Sequence, residues 1–183
     1  MNSELIYPRN VPVDARTNIP SPRQFGITDY EDLQIPTPDG ESLHALFIRP
    51  SNKRLAQDVT VLMFHGNAGN IGHRIPIAKI MQEVVGCNML MLEYRGYGLS
   101  TGVPDETGLK VDAQTGLDYI RQRAETMYTK ILIYGQSLGG AVAINLVADN
   151  QESGDIAGLI LENTFLSIRK LIPTYVLRPF IKT

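Results

Sequence analysis

The stretch Lys130–Gly140, reading Lys-Ile-Leu-Ile-Tyr-Gly-Gln-Ser-Leu-Gly-Gly, constrains the chain more than any other, together with the apolar Ala141–Ala148 that follows it. A β-rich apolar run of strand length meets Gly-x-Ser-x-Gly, and an apolar segment of helix length begins at once. The pattern predicts a strand, a sharp turn with Ser137 at its apex, and a helix opening at Leu138. The spacing has a physical reason. To present a hydroxyl at the top of a sheet the backbone must reverse within a few residues, which leaves no room for side chains beside the serine, and Gly135 and Gly139 supply that room. The amides at the start of the following helix then point back at the serine, where a tetrahedral oxyanion could form. A bare Gly-x-Ser-x-Gly is also compatible with an ordinary glycine-rich turn, but the flanking strand and helix favour a nucleophile elbow.

Other strand-sized runs extend the pattern. Tyr30–Ile35 and Ser42–Ile48 alternate polar and apolar residues around Pro36-Thr37-Pro38-Asp39-Gly40, a hairpin signal. Val59–Phe64 and Asn88–Glu93 are continuous apolar runs, as expected of strands buried on both faces, and Ile156–Leu161 reads as a further strand. Between them, a helix is expected near Pro76–Val85 with Ile77, Ile80, Met81 and Val84 on its inner face. A second follows from Leu109, Ala113, Leu117, Ile120 and Ala124 at helical spacing. Alternating strands and helices imply right-handed crossovers and an α/β fold, with a mainly parallel sheet, flanking helices and the hairpin at one edge. Residues 1–28 read as an irregular, proline-rich arm, whose Leu5-Ile6-Tyr7-Pro8 patch could dock on the core, and 29–183 as the α/β domain.

In such a sheet, ligands sit beyond the carboxyl ends of the strands, where three loops gather. His65-Gly66-Asn67 leaves the Val59–Phe64 strand directly and holds the place from which elbow enzymes donate a second oxyanion amide. This assigns the hole to the N–H groups of Leu138 and Asn67, with an ordinary Gly-Asn turn as the plainer alternative. His65, Gly66 and Gln136 line the substrate side of that reading. Gly96-Tyr97-Gly98 fails as a dinucleotide loop, since the third glycine falls at 102 and no helix opens there. No phosphate-binding Gly-x-x-x-x-Gly-Lys-Ser/Thr run exists, so no cofactor is expected. The histidines lack ligand spacing and Cys87 has no second cysteine beside it, so no metal site is expected either. Cys87 lies among apolar residues just before a strand and reads as a buried structural thiol.

Over 183 residues the formal net charge is −2, with Lys and Arg scattered, which gives no electrostatic footprint for nucleic acid and leads to the expectation of a neutral or apolar substrate, small or acyl-type. The sequence shows no signal peptide or membrane span, and it is silent on oligomeric state.

Four motifs in order, His65-Gly66-Asn67-Ala68-Gly69-Asn70, Glu93-Tyr94-Arg95-Gly96-Tyr97-Gly98, Gly135-Gln136-Ser137-Leu138-Gly139-Gly140 and Glu162-Asn163-Thr164-Phe165, resemble those of α/β-hydrolase-fold proteins, closely the subgroup named after fungal bud emergence. The resemblance implies a serine hydrolase acting on an ester or thioester through an acyl-enzyme on Ser137. It also implies an intracellular protein whose family commonly carries an N-terminal anchor and associates with internal membranes.

One part of the machinery is absent from its expected place. A serine hydroxyl needs a histidine to take its proton and an acid to hold that histidine, in the chain order Ser, Asp or Glu, His. His44, His65 and His73 all precede Ser137, and Asp149, Glu152, Asp155 and Glu162 have no histidine after them. In the family the sheet continues past the Ile156–Leu161 strand, and the later strands bear the acid and the base. The sequence thus reads as a hydrolase domain with its last strands missing, inactive as these 183 residues. The alternatives are a non-catalytic partner-binding domain, acting through an open sheet edge or the apolar Leu171–Phe180 segment, and a degenerate fragment.

Overall fold

The computed structural model describes residues 6–51 and 56–164. Leu5, Phe165 and the Leu171–Phe180 segment lie outside the described residues. Six strands, β1 (Tyr30–Pro36), β2 (Ser42–Ile48), β3 (Val59–Phe64), β4 (Asn88–Leu92), β5 (Lys130–Gln136) and β6 (Ile156–Glu162), form one sheet in the order β1-β2-β4-β3-β5-β6. β1 and β2 are antiparallel, as are β2 and β4, and every other pair is parallel. The expected architecture, a mainly parallel sheet with an antiparallel hairpin at one edge, is the one observed.

The registers set the site. Phe64 pairs with Leu92 on one side and Gly135 on the other, and Gln136 pairs with Glu162. The loops leaving β3, β4, β5 and β6 therefore emerge together at one end of the sheet. After β3 the chain crosses outward to β4 and returns on the other side of β3 as β5. The gap between β3 and β5 is thus a topological switch point, where open α/β sheets bind ligands.

Two apolar layers sandwich the sheet, because alternate residues of each central strand point to opposite faces. Leu62, Phe64, Leu90 and Leu92 meet Leu109, Ala113, Leu117 and Ile120 of α2 (Glu106–Gln122) and Val142, Ala143 and Leu146 of α3 (Leu138–Asp149). On the other face Val61, Met63, Met89 and Met91 meet Ile75 and Ala78 of α1 (Ile75–Ile80), with Cys87 buried among them. Burial pushes the Cys87 thiol up to about 11, so it stays protonated and inert at neutral pH. Asp105 caps α2, its carboxylate accepting from the Gly108 amide at 2.8 Å, and the helix ends at Gln122, short of Ala124.

The first helix departs from the expected one. A 3₁₀ turn (Ile71–Arg74) precedes α1 and a π-helical turn (Met81–Val85) follows it, closed by Gly86 N–H donating to Met81 O at 3.1 Å. Ile75, Ala78 and Gln82, spaced i, i+3 and i+7 as on one helical face, point inward, two positions out of phase with the expected stripe; Ile77 and Met81 are only partly buried, and Ile80 and Val84 point outward at 61% and 75% exposure.

Tyr7 is buried in the α2/α3 layer, and a capped 3₁₀ turn, Pro22–Phe25, leads into β1. At the opposite edge β6 is the last strand among the described residues, with Leu159, Ile160 and Leu161 37%, 38% and 41% exposed.

Candidate active site

β5 ends in the elbow. Ser137 has φ 52° and ψ −112°, a region costing a non-glycine residue on the order of 1–3 kcal/mol and kept only where surroundings enforce it. They do so here. The Ser137 N–H donates to Glu162 O at 2.9 Å, while its carbonyl accepts from Gly140 N–H at 3.0 Å and from the Thr164 hydroxyl at 2.9 Å. A Cβ on Gly135 would overlap the Gly139 carbonyl, and one on Gly139 would overlap the Phe64 carbonyl oxygen and lie 2.7 Å from His65 O. Both glycines are thus required by close backbone approach across the elbow and between β3 and α3. Ser137 also holds the N-cap position of α3, yet its hydroxyl makes no capping hydrogen bond. A serine there ordinarily spends its oxygen on the helix. Among the described residues the amides of Leu138 and Asn67 donate to no partner either.

The loop after β3 is held from beneath. His65, 1% exposed, directs Nδ1 to Gly66 O at 2.7 Å, and its Nε2 lies 3.0 Å from Glu93 Oε1 without hydrogen-bond alignment. Its ring packs on Tyr94 at a centroid distance of 4.4 Å. Glu93, fully buried at the end of β4, accepts the Ile71 N–H on Oε2 at 3.0 Å. Tyr94 donates to His65 O at 2.9 Å, and Tyr97 to Asn67 Oδ1 at 2.7 Å. The His65 side chain, placed on the substrate side by the sequence, is buried and directed at Gly66 and Glu93.

The arm holds the same loop from outside. Asn67 Nδ2 donates to Ile6 O at 2.6 Å, Gly69 N–H to Val11 O at 2.7 Å, and Asn70 Nδ2 to Ala15 O and Asn18 O at 2.9 and 3.0 Å. Sequence reasoning gave the arm no such part. Carbonyl acceptors leave no trace in residue type.

Gly66 and Gln136 do meet at the serine. The point where a Cβ on Gly66 would stand lies 3.6 Å from Ser137 Cβ, 3.6 Å from Gln136 Oε1 and 3.6 Å from an Arg74 guanidinium nitrogen. Gln136 Nε2 donates to Glu162 Oε1 at 3.1 Å, and Tyr134 donates its hydroxyl to Glu162 Oε2. These two donors, Tyr134 foremost, hold the Glu162 carboxyl below the usual carboxylate range.

None of the three histidines is bound to Ser137. His44 contacts Asp32 Oδ1 through Nε2 at 2.9 Å, His65 is engaged as described, and His73 accepts the Asn70 N–H on Nδ1 at 3.3 Å. Of the downstream acids, Asp155 is paired with Arg121 at 2.7 Å. No group of three or more His, Cys, Asp or Glu among the described residues could hold a metal ion, and no described helix is long and apolar enough to cross a membrane. Among the described residues, the arrangement sets a strained serine whose hydroxyl makes no hydrogen bond at the end of β5, beside the supported loop that leaves β3.

Comparison with known proteins agrees with this geometry. Residues 56–183 match the family model described as serine aminopeptidase, S33. The chain is 46% identical over 170 residues to the protein Bem46 of Schizosaccharomyces pombe, covering 93% of this chain and 56% of that protein. It is 42% identical over 153 residues to the α/β hydrolase domain-containing protein WAV2 of Arabidopsis thaliana, covering 84% and 48%. It is 40% identical over 171 residues to the uncharacterized membrane protein YNL320W of Saccharomyces cerevisiae, covering 93% and 57%. The chain thus spans about half the length of the curated relatives it matches. Among solved structures, an α/β hydrolase from Vibrio vulnificus superposes with a TM-score of 0.75 at 23% identity, covering 99% of this chain and 61% of the other. The Pyrococcus furiosus esterase Pf2001 does so with 0.68 at 20% identity, covering 87% and 62%. Fold, motifs and relatives converge, and the chain belongs to the α/β hydrolases, in the serine aminopeptidase S33 family and among relatives of the Bem46 type.

Proposed function

We propose that this chain carries the nucleophile and oxyanion hole of a serine hydrolase acting on esters or thioesters. Ser137 Oγ attacks the substrate carbonyl, the proton of its hydroxyl passes to a general base, and the carbonyl oxygen becomes an oxyanion held by the N–H groups of Leu138 and Asn67. Collapse returns the proton to the departing alcohol or thiol and leaves an acyl-Ser137. Water then attacks the acyl carbon, releasing the carboxylic acid and restoring the serine. The observation that carries the reading is Ser137 itself. Its backbone is strained into φ 52° and its hydroxyl is withheld from the helix cap it could make.

The base is not one of the histidines of these 183 residues, each of which is engaged elsewhere. The reading therefore assigns the nucleophile and the oxyanion hole, and names no proton acceptor among these residues. The test uses the protein as its source cells make it, treated with a serine-directed fluorophosphonate. Labelling is expected on the native protein and absent from Ser137→Ala, with hydrolysis of a p-nitrophenyl ester falling by at least about 10⁴-fold in the variant. Equal labelling of both proteins would refute the assignment. A second reading, partner binding through the edge of β6, is favoured by the exposure of Leu159, Ile160 and Leu161. It gains ground if the native protein is not labelled at all. Membrane association, supported by the name of the yeast relative, belongs to the same proposal.

A further inference from the structure

Arg74 is the one basic side chain placed against the serine whose charge the described residues leave unmatched. Its Nη2, Ser137 Cβ and Gln136 Oε1 each lie 3.6 Å from the point where a Cβ on Gly66 would stand. Nη2 reaches only the Ala68 carbonyl, at a long 3.4 Å, and Nε is buried without a hydrogen-bond partner. Among the described residues no carboxylate forms an ion pair with it. Arg49, Arg95, Arg121 and Arg123, by contrast, are all paired with acids. Glu162 is near enough to feel the Arg74 charge, but both of its oxygens are already engaged by Tyr134 and Gln136. A half-buried guanidinium with an orphaned donor is costly to keep, and its planar fork suits an oxyanionic group. Loop support does not require it, since Glu93, Tyr94, Tyr97 and the arm already fix the segment.

We infer that Arg74 is a specificity-determining residue that binds an anionic group of the substrate, a carboxylate or phosphate close to the scissile carbonyl, so that the enzyme prefers esters bearing that anion over neutral ones. The inference rests on Ser137 being the reacting serine, and its test is a binding measurement that needs no turnover. The protein as its source cells make it, carrying Ser137→Ala, is titrated with monomethyl succinate and with O-acetylglycolate. These place the carboxylate in the acyl part or in the alcohol part, and each is compared with its neutral methyl ester. One of the two acids is expected to bind at least 10-fold more tightly than its ester, and which one does so identifies the part that Arg74 reads. Adding Arg74→Gln should bring that ratio to near 1, Arg74→Lys should keep part of it, and Arg121→Gln, far from the site, should leave it as it was. A ratio near 1 before Arg74 is changed, or one that survives Arg74→Gln, overturns the inference. Equal weakening of acid and ester in Arg74→Gln also overturns it and leaves Arg74 a loop support. Fluorophosphonate labelling of the parent protein, measured separately, tells a failure of this inference from a failure of the hydrolase reading.

Discussion

Gly139→Ala is expected to destabilise the fold by about 3 kcal/mol or more and to abolish fluorophosphonate labelling of Ser137 along with it. The added methyl would overlap the Phe64 carbonyl oxygen and lie 2.6 Å from Phe64 C and 2.7 Å from His65 O. All three atoms belong to backbone at the end of a central strand, so no flexible side chain can move aside. Relief demands either that α3 withdraw from β3, opening the packing of Leu138, Val142 and Ala143, or that the β3 loop shift and carry Asn67 away from the serine. Gly154→Ala is the control. Its φ is +73°, so alanine is strained there too, but nothing lies within 4 Å and the cost should stay near 1 kcal/mol. Urea denaturation midpoints of the two variants, compared with the parent, measure the difference. A Gly139→Ala protein as stable as Gly154→Ala would mean that the close approach of α3 to β3 is not a constraint.

The second large effect falls on Glu93. Replacing it with alanine removes a fully buried carboxylate, leaving the His65 imidazole and the Ile71 N–H facing a void. Emptying the space of a fully buried side chain and stranding the Ile71 N–H costs about 3 kcal/mol or more. Glu93→Gln keeps the shape and an acceptor for Ile71 while dropping the charge, so it should cost about 1–2 kcal/mol. The two variants separate packing from electrostatics. Because His65 Nδ1 anchors Gly66, the damage should extend to the loop, and Ser137 labelling should slow in Glu93→Ala even at temperatures where the protein remains folded. Full-rate labelling in a folded Glu93→Ala protein would show that the buried pair supports stability alone.

What the sequence made legible was local. The elbow is written in eleven consecutive residues, and Gly135 and Gly139 announce a tight turn by their spacing alone. The strands were equally readable, since a buried parallel strand is a continuous apolar run whatever surrounds it. The inner face of the first helix was not. A period of 3.6 assigns Ile80 and Val84 to the core, but the same period fits Ile75, Ala78 and Gln82, and it is this stripe, disguised by its polar Gln82, that faces inward while Ile80 and Val84 face solvent. The His65–Glu93 pair was hidden for another reason, as its members come from the ends of different strands and meet only through the register of β3 with β4. His65, read as a substrate-lining residue from its position, proved to be the upper half of that buried pair. Arg74 carried no motif at all, and only its place above Gly66, with no acid opposite, gives it meaning.

The most direct measurement on the central claim is a crystal structure of the protein, as its source cells make it, after reaction with a phosphonate ester. The account predicts a covalent bond from phosphorus to Ser137 Oγ, with the phosphonyl oxygen about 3 Å from the backbone nitrogens of both Leu138 and Asn67. A phosphonate on another residue, or one on Ser137 whose oxygen turns away from these two amides, would contradict it.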